Sequence, residues 1–421
     1  MLLLDSIARF ARLMPDKPAI ITATEMQTYS DLHRRVCERA DRLKAEGLRE
    51  GQPYSFPATQ DADFIVTYLA VHLCRAFCPL HTTGTTGASK NVIISDEAWT
   101  ANAENLIDRF GFTPDLLFII CGPLSHLGSL SKIHPTLMTG GTLYIMDSLK
   151  DLNAFFKPFK DPPLPSIKGR KTFSRFASFL VPSSIRMLLQ FAREELAAVA
   201  HRIAFIETGA APIAQHDMEL LCKVLPHSRL FNTYASTETG IVCSYEFSRY
   251  GCRPGVVGKP MKHSSVRIGE DGRVICAGAT LMTGYVDNPE ATARVLVDGE
   301  VHTADLGFID DDGMLHLLGR DDDIINTGGY KVNPIEVEDA VSACPLVRDC
   351  ICVPAPHPVL GTAPKLLYVP APDCEVKPRA IAEFLKARLE SYKIPLFYES
   401  VEAIRRTFNG KPDRKAYRVK G

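Results

Sequence analysis

The sequence predicts an α/β protein: a large N-terminal domain of layered α/β subdomains plus a β-rich subdomain, followed by a small α+β C-terminal domain. Its 421 residues exceed what one small core usually holds, so two unequal domains are expected. Between about residues 90 and 318, short apolar runs alternate with longer amphipathic stretches, which is typical of helices layered on a parallel sheet. After about residue 255, Gly and Asp separate short strands, which predicts the β-rich subdomain.

Apolar periodicity predicts the elements of the large domain. The first segment, residues 1–12, is predicted to be a helix with one apolar face, formed by Leu3, Leu4, Ile7, Phe10 and Leu13. Four further stretches predict helices, at residues 29–50, 61–77, 186–199 and 215–224. Three apolar runs predict buried strands, at residues 116–120, 142–146 and 203–206.

The second half of the chain predicts the β-rich subdomain and the C-terminal domain. Short strands are expected at residues 266–268, 273–276 and 314–318. The dense charged segment from Gly319 to Asp323 marks the predicted boundary, which gives domains of residues 1–320 and 321–421. The remaining elements suffice for a compact α+β domain of about 100 residues. They are a helix from Pro334, strands at 350–353 and 365–369, and a helix at 378–389.

The bulk composition argues against several functional classes. With 46% hydrophobic and 23% charged residues, the chain has the composition of an ordinary globular enzyme. A formal net charge of -1 provides no global field that would attract nucleic acid or an anionic membrane. Membrane spans and a signal peptide are not expected, because no apolar run is long enough and the start lacks a basic opening and a small-residue cleavage site.

The 12 cysteines are scattered, and no Cys-x-x-Cys pair occurs. A structural zinc site needs four closely grouped ligands, so buried free thiols are the expectation. Free thiols fit a reducing compartment, which predicts a cytoplasmic protein.

The strongest local signal lies between His81 and Lys90, which enclose four threonines and two glycines. Glycines let the backbone approach an anion, threonine hydroxyls donate to phosphate oxygens, and Lys90 supplies a positive charge. The spacing differs from that of the Walker loop. A flexible turn between two strands is the alternative interpretation of the same residues.

Two further segments place carboxylates where nucleotide chemistry would use them. Residues 231–240 surround Glu238 with small hydroxylated side chains, which suits a magnesium ion beside phosphates. A helix N-cap at Ser236 or Thr237 is the alternative. Residues 301–307 bring Asp305 near Arg320, a pair that suits a ribose diol and a phosphate, unless it is an ordinary exposed ion pair.

The last two segments lie in the predicted C-terminal domain. Residues 321–338 end in an ordinary helix start, with Asn333 as N-cap and Glu336 completing a capping box. The preceding pair, Gly328 and Gly329, has no such local cause and predicts a loop against a ligand or another domain. Near the C-terminus, Asn409 and Gly410 predict a tight turn with Lys411 at its tip, although a basic tail is an alternative.

Together and in this order, the five segments resemble the acyl-adenylate-forming superfamily of acyl- and aryl-CoA ligases, luciferases and nonribosomal adenylation domains. The resemblance covers the chain from about residue 5 to the end. It implies activation of a carboxylic acid by ATP to an acyl-adenylate, with release of pyrophosphate, and transfer of the acyl group to a thiol. It also implies a mobile C-terminal domain, and ATP, Mg²⁺ and coenzyme A as cofactors.

The resemblance also implies a role for each matching residue of the large domain. Those that would gather the ATP phosphates are Thr82, Thr83, Gly84, Thr85, Thr86, Gly87 and Lys90. Those that would border the adenine are Gly209, Ala210, Ala211, Asn232, Thr233 and Tyr234. Thr237 and Glu238 would bind phosphate and magnesium, with Thr85 as a second metal ligand, and Asp305 and Arg320 would hold the ribose.

Three roles fall in the C-terminal domain. Asp322 matches the hinge about which that domain turns between the half-reactions. Lys411 matches the catalytic lysine that bridges the carboxylate and the α-phosphate during adenylation. Gly328 and Gly329 match the loop that lines the tunnel for the thiol.

The sequence departs from the family pattern at several positions. An aromatic residue is usual at His81, proline at Ser89, glycine at Asn91 and Ala304, and proline at Arg405. The link between the helix near residue 70 and the phosphate loop is far shorter than usual, so several strands of the first subdomain are expected to be absent.

The segment from Gly122 to Gly128 bears on the acid. Amino-acid-activating members carry an aspartate there, whereas this sequence resembles the acyl- and aryl-CoA ligases, in which a histidine equivalent to His126 borders the acyl pocket. Burying an ammonium without a counter-charge would be costly, which favours an acid without an α-ammonium group. Small residues at 209–212 leave room for a flat or slender acyl group, and Glu207 is a candidate contact for a polar substituent.

Three functions remain open from sequence. The first is an acid–CoA ligase, whose partners are the carboxylic acid, ATP and CoA. The second is a standalone adenylation enzyme that loads the phosphopantetheine of an acyl or peptidyl carrier protein. The third, motivated by the shortened first subdomain, is a degenerate nucleotide-binding scaffold without turnover.

Overall fold

The computed structural model describes residues 2–82, 90–149, 151–160, 175–372, 374, 376–407 and 412–417. Its helices, in chain order, are α1 (Leu2–Leu13), α2 (Tyr29–Ala45), α3 (Ala62–Leu73), α4 (Asp96–Phe110), α5 (Leu127–Met138), α6 (Leu152–Lys160), α7 (Pro182–Phe191), α8 (Arg193–Val199), α9 (Gln215–Val224), α10 (Phe247–Tyr250), α11 (Pro289–Val295), α12 (Pro334–Ser342) and α13 (Pro378–Lys386). Short 3-10 helices lie at Ala200–Arg202, Asp321–Asp323, Ser391–Lys393 and Arg414–Tyr417.

The strands divide into a large-domain set and a set that follows Asp323. The first set is β1 (Pro18–Ile21), β2 (Met26–Thr28), β3 (Leu80–Thr82), β4 (Lys90–Ile93), β5 (Leu116–Ile120), β6 (Thr142–Ile145), β7 (Arg175–Phe179), β8 (Ile203–Gly209), β9 (Arg229–Ser236), β10 (Gly240–Glu246), β11 (Val256–Pro260), β12 (Ser264–Ile268), β13 (Arg273–Gly278), β14 (Gly284–Tyr285), β15 (Leu296–Val297), β16 (Glu300–Ile309) and β17 (Leu315–Arg320). The second is β18 (Ile325–Thr327), β19 (Tyr330–Val332), β20 (Val347–His357), β21 (Gly361–Pro370) and β22 (Phe397–Ser400).

Short polar residues fix where several helices begin. Thr28 and Asp31 form a capping box at α2, because each side chain accepts the other's backbone N–H. Asp61 caps the apolar helix α3 by accepting from the Phe64 N–H at 2.9 Å. Asn333 caps α12 as predicted, by accepting from Ile335 N at 2.9 Å. The Glu336 carboxylate, predicted to complete a box there, instead accepts from Lys393 Nζ at 2.6 Å.

One sheet of 14 strands organises the large domain. Its centre is parallel, in the order β9, β8, β7, β5, β6, β1. Strand β2 continues it antiparallel at one side, and β10, β11, β17, β16, β13 and β12 continue it antiparallel at the other. The fourteenth strand, β15, pairs with β16. The predicted parallel α/β layers and the β-rich region after residue 255 therefore belong to one continuous sheet.

Two smaller sheets complete the fold. Strands β3, β4 and β14 form a three-stranded antiparallel sheet beside the main one. Strands β19, β18, β21, β20 and β22 form a five-stranded sheet that contains only residues after Asp323. The domain boundary at 320/321 stays a prediction, as does the mobility of the C-terminal domain.

The parallel centre of the main sheet is buried on both faces, which explains its uninterrupted apolar runs. In β5, Leu116, Phe118 and Ile120 pack into the core that also contains α1 to α5. Leu117 and Ile119 point to the opposite core, beneath α6 to α9. A separate core under the five-stranded sheet is centred on residues such as Val337, Cys352 and Leu366.

Some predicted boundaries differ from the structure. The helix expected at 186–199 is two helices, α7 and α8, because Ala192 has an extended φ of -147° between them. The helix expected at 29–50 ends at Ala45. All 12 cysteines are free thiols. Within the described ranges, no helix has the length and apolar character needed to cross a membrane.

Candidate active site

The predicted site residues of the large domain gather at one edge of the main sheet. Strands β5, β7, β8 and β9 are parallel, so their carboxyl ends meet at the same edge. The segments that leave these ends contain His126, Phe179, Gly209 and Glu238. In open α/β sheets this edge is where ligands bind.

The end of β8 forms a close-packed backbone corner. A Cβ on Gly209 would lie 2.8 Å from Thr233 Oγ1 and 2.9 Å from Thr233 O, so only glycine lets β8 approach β9 there. Ala210 follows with a φ of 68°, a left-handed conformation unusual for a residue with a Cβ, and its side chain is exposed. With Ala211, these residues form a small-residue ledge at the edge of the sheet.

Two of the predicted adenine-border residues use their side chains inside the protein. Asn232 Nδ2 donates to Val256 O at 3.0 Å, which joins β9 to β11. Thr233 Oγ1 donates to Glu207 Oε1 at 3.0 Å. Both side chains are buried. Their predicted contact with adenine stays a prediction.

Tyr234, Asp305 and Arg320 form one hydrogen-bonded group. Asp305 and Arg320 stand opposite each other in β16 and β17, and Arg320 Nη1 lies 3.3 Å from Asp305 Oδ1. The other carboxylate oxygen accepts from Tyr234 OH at 2.6 Å. Burial and the nearby Asp305 raise the pKa of Tyr234, so the phenol keeps its proton and remains a donor. The predicted pair is therefore real, and it is held by a tyrosine from the neighbouring part of the sheet.

Glu238 lies in the tight turn between β9 and β10. Ser236 and Thr239 close this turn, since the backbone N–H of each donates to the side chain of the other at 3.0 and 3.1 Å. The turn leads into a strand, so the alternative of a helix N-cap at Ser236 or Thr237 is wrong. Glu238 Oε1 accepts from Tyr285 OH at 2.9 Å, which orients the carboxylate.

The phosphate-loop candidate is a β-hairpin whose two strands are described. Thr82 in β3 pairs with Lys90 in β4, and β14 pairs with the other side of β4. The Lys90 ammonium lies 4.6 Å from the centre of the Tyr285 ring. The loop residues Thr83, Gly84, Thr85, Thr86 and Gly87 lie outside the described residues.

Tyr285, which was not predicted as a site residue, links the Lys90 segment to the Glu238 segment. Its ring faces Lys90 and its hydroxyl binds Glu238. Burial and the Glu238 carboxylate raise its pKa, so it stays a neutral donor. Its neighbours in sequence carry no pattern that would mark it, because its position depends on the pairing of β14 with β4.

His126 is the N-cap residue of α5, and its carbonyl accepts from Leu130 N at 2.8 Å. Gln60 fixes the preceding turn: its amide donates to Gly122 O at 2.9 Å and accepts from Leu124 N at 3.0 Å. The structure therefore holds His126 at the same sheet edge as Gly209. Its role at the acyl pocket stays a prediction.

A buried cation that was not predicted from the sequence lies below His126. Lys132 in α5 contacts both carboxylate oxygens of Glu207 in β8, at 2.9 and 2.7 Å. Both side chains are fully enclosed. A lone lysine in an apolar stretch gave no signal, because its partner lies 75 residues away in the chain.

The glycine pair of the C-terminal region has an ordinary structural cause, contrary to expectation. Gly328 and Gly329 are the two central residues of the hairpin between β18 and β19, with φ of 56° and 89°. Two positive φ values in a two-residue hairpin are typical of a type I′ turn, which favours glycine. Their predicted place at a thiol tunnel remains untested.

Lys411 lies outside the described residues, but the segments on either side, up to Thr407 and from Pro412, are described. Arg406 and Pro412 form an antiparallel bridge, and Asp413 N donates to Arg405 O at 2.9 Å. Arg414 then anchors the segment, because its guanidinium contacts both Glu338 oxygens at 2.7 Å. Asp322 is the middle residue of the 3-10 helix Asp321–Asp323, where the first set of strands ends.

The donor set for a metal is small. Among the described residues, no group of three or more His, Cys, Asp or Glu side chains could hold a metal ion. Glu238 would fit a magnesium ion whose other ligands include phosphate oxygens and water, which is how Mg²⁺ is usually bound beside nucleotides. Thr85, the predicted second ligand, lies outside the described residues.

Sequence comparison now identifies the class. The profile described as "AMP-binding enzyme" matches residues 76–286, and that of the "AMP-binding enzyme C-terminal domain" matches residues 336–411. The chain therefore belongs to the AMP-binding enzyme family.

Its relatives narrow this class. A feruloyl-CoA synthase from Amycolatopsis sp is 27% identical over 345 residues, which cover 79% of this chain and 67% of that protein. A 2-succinylbenzoate–CoA ligase from Bacillus cytotoxicus is 28% identical over 337 residues, covering 77% and 66%. The chain thus matches about two thirds of the length of these relatives. The predicted superfamily and the AMP-forming acid–thiol ligase class are confirmed.

Solved structures confirm the predicted fold class. ATP-bound MatB from Rhodopseudomonas palustris superposes with a TM-score of 0.84 at 22% identity, covering 98% of this chain and 99% of that one. The amide bond synthetase McbA from Marinactinospora thermotolerans superposes with a TM-score of 0.86 at 21% identity, covering 99% of both chains.

Proposed function

We propose that the protein activates a carboxylic acid with ATP and Mg²⁺, releases pyrophosphate, and transfers the acyl group from the adenylate to the thiol of coenzyme A. The observation that carries this proposal is the meeting of two groups at one sheet edge. Tyr234, Asp305 and Arg320 offer a carboxylate and a guanidinium for a nucleotide, and Glu238 offers a carboxylate for its metal. The membership of this chain in the AMP-binding enzyme family supports the same reaction.

The proposed chemistry explains why these groups carry charge. The acid is an anion, and it must attack an α-phosphate that is also anionic. Mg²⁺ held by Glu238 would neutralise phosphate charge. Lys90 and the backbone of the loop that it follows would hold the terminal phosphates, and Lys411 would lie between carboxylate and α-phosphate. Asp305 would accept from the ribose hydroxyls, with the Arg320 guanidinium beside it.

We further propose that the acid lacks an α-ammonium group and carries an aryl or medium-length acyl chain. The segment from Gly122 to Gly128 contains no carboxylate that could pair with an ammonium. The small residues from Gly209 to Ala211 would leave room for a flat or slender group beside the nucleotide. The names of the two relatives, feruloyl-CoA synthase and 2-succinylbenzoate–CoA ligase, both refer to aryl acids, which supports an aryl acid as the substrate here.

The test is ATP–pyrophosphate exchange with matched acids. We expect exchange with 3-phenylpropanoic acid to be faster than with phenylalanine by at least about a hundredfold, because an unpaired buried ammonium is rejected strongly. Faster exchange with phenylalanine would contradict the acid assignment and favour a carrier-loading enzyme. Failure of a broad acid panel would instead favour the non-catalytic scaffold.

The acceptor needs its own measurement. With an acid that supports exchange, thioester formation is compared between free CoA and a holo-carrier protein. We expect CoA to be acylated. Acylation of the carrier alone would replace CoA by a carrier-protein phosphopantetheine. The cytoplasmic location predicted from the free thiols stays a prediction.

A further inference from the structure

A buried ion pair lies directly below the proposed acyl site and has no part in the reaction described above. Lys132 Nζ contacts Glu207 Oε1 at 2.9 Å and Oε2 at 2.7 Å, and the two side chains are 0% and 1% exposed. Thr233 Oγ1 donates to the same Glu207 Oε1 at 3.0 Å. The pair thus joins α5, β8 and β9 at the sheet edge.

Such a pair contributes little stability for its cost. Removing two charges from water is expensive, and replacing a buried pair by apolar residues of similar volume is often neutral or stabilising. The surrounding core is apolar and well packed, so an apolar pair would suit this position at least as well. A buried charge pair that an apolar pair could replace in the core points to a use in recognition.

Its position connects it to the space where the acyl group would lie. The ring of Phe179, at the end of β7, lies next to the pair and next to Gly128 and Gly209, which border this space. The Lys132 ammonium lies 5.2 Å from the centre of that ring. A Cβ on Gly128 would lie 2.6 Å from Phe179 Cε1, and one on Gly209 would lie 3.7 Å from Phe179 Cε2. The partly exposed ring therefore fills the gap between the two glycines and covers the pair.

The pair retains hydrogen-bonding capacity of both kinds. An ammonium has three donors, and Glu207 is its only acceptor within the described part of the chain. A carboxylate has about four lone-pair positions, of which Lys132 and Thr233 use at most three. Burial lowers the pKa of Lys132, but the pair is neutral overall wherever the proton lies.

These properties select one kind of partner. A hydroxyl can accept from Lys132 and donate to Glu207 at the same time. A second carboxylate or an ammonium would enter a site whose own charges already cancel, so it would be buried without compensation. An apolar end would leave the spare donor and acceptor of the pair unused.

Resting on the proposed function, we infer that Lys132 and Glu207 recognise a hydroxyl group at the far end of the acid, and that the substrate is a hydroxylated, preferably aromatic, acid. Phe179 would turn aside or stack on the acyl group when that group enters. Lys132 and Glu207 act here as specificity-determining residues and take no part in bond making.

The test uses three acids that differ only at one position: 4-hydroxycinnamic, 4-methoxycinnamic and cinnamic acid. The methoxy group keeps the acceptor and loses the donor. By ATP–pyrophosphate exchange, we expect kcat/KM for the hydroxy acid to exceed that for the other two by at least about a hundredfold, since a site built to bind a hydroxyl rejects analogues that lack it. The dianionic 2-succinylbenzoic acid should be the poorest of the four.

Two variants separate recognition from structural support. In Lys132→Met/Glu207→Met, we expect the preference to collapse or reverse, with cinnamic acid now equal or better and thermal stability unchanged or raised. Glu207→Gln is a milder second variant that keeps the shape, and it should lower the preference in the same direction. The matched control is Glu246→Gln, which changes a buried carboxylate paired with Arg229 away from the site and should leave the preference intact.

Each result decides between the hypotheses. Equal exchange with the three cinnamic acids in the native protein overturns the inference while leaving the proposed function in place. A loss of exchange in the variants that is equal for all acids makes the pair a structural support and also overturns it. Absence of exchange with every acid overturns the proposed function, and the inference falls with it.

Discussion

The residues assigned to catalysis lie in two regions that are built differently. At the edge of the main sheet, the charged side chains are held by other side chains: Asp305 by Tyr234 and Arg320, and Glu238 by Tyr285. In the C-terminal region, the assigned residues lie in turns and in a short 3-10 helix, at Asp322, at the Gly328–Gly329 hairpin and next to the bridge of Arg406 with Pro412.

This difference suggests a division of labour. Charges that the protein itself orients are ready before the nucleotide binds, which is the arrangement that stabilises charge most effectively. Groups on turns of a separate sheet would instead be delivered to the site by the proposed movement of the C-terminal domain. Substitutions at the sheet edge should therefore act on nucleotide binding and adenylation, whereas each substitution in the C-terminal region should act on one half-reaction.

The largest expected effect comes from Lys411→Ala. Removing the ammonium should raise the activation free energy of adenylation by on the order of 3 kcal/mol or more. The rate of adenylation should therefore fall at least about a hundredfold. Thioester formation from a supplied acyl-adenylate should remain largely intact. The two half-reactions are measured separately, by ATP–pyrophosphate exchange and by acylation of the thiol.

Lys415→Ala is the control for this change, because it removes a lysine from the same segment four residues further on. It should leave both half-reactions near their original rates. An equal loss of both half-reactions in Lys411→Ala would show that this lysine supports the structure of the turn.

The next effect is expected from Asp322→Pro, which should impair the opposite half-reaction. Proline fixes φ near one value, so a hinge at this position could no longer absorb a rotation. Adenylation should stay near normal while thiol acylation falls by more than about thirtyfold. A rotation would also have to break contacts between the regions, such as Arg186 with Asp349 at 3.3 Å and Gln215 N with Asp339 at 3.0 Å.

Asp322→Ala separates the backbone from the charge. It removes the carboxylate, which lies 4.0 Å from the Arg320 guanidinium, but leaves φ free. If the hinge hypothesis holds, the alanine variant keeps thiol acylation and only the proline variant loses it. Unchanged turnover in the proline variant would place the hinge elsewhere.

The sequence was a good guide to residues whose environment is local. It predicted the cap of α12 at Asn333, the buried run of β5, and the neighbourhood of Asp305 and Arg320, since the last two lie on adjoining strands of one hairpin. In each case the determining interactions lie within about 20 residues in the chain, or follow from apolar periodicity.

It was a poor guide wherever distant segments meet. Tyr285 reaches Glu238 across 47 residues, and Lys132 reaches Glu207 across 75. Neither contact leaves a local pattern. For Gly328 and Gly329, no local cause was expected from the sequence, whereas their positive φ values in a two-residue turn supply one; their place at a thiol tunnel stays a prediction. Both kinds of difference have the same cause: the neighbours that determine the position of a side chain, or the conformation of a glycine, do not follow from the adjoining sequence.

The smallest predicted effect is that of Tyr285→Phe, which tests whether the Tyr285 hydroxyl orients the Glu238 carboxylate. The ring stays, so its packing and its contact with the Lys90 ammonium are kept, and only the hydrogen bond to Glu238 at 2.9 Å is lost. We expect adenylation to fall about fivefold, since one such bond contributes about 1 kcal/mol net. Because Glu238 is less well oriented, half-maximal activity should need more Mg²⁺. Thiol acylation from supplied adenylate should not change.

Tyr68→Phe is the matched control for this change. The Tyr68 hydroxyl lies 2.8 Å from His134 Nε2 within the core, so its removal should lower thermal stability without changing the Mg²⁺ dependence. An unchanged Mg²⁺ dependence in Tyr285→Phe would show that the tyrosine only packs beside Lys90, and that the Glu238 carboxylate is oriented by its turn alone.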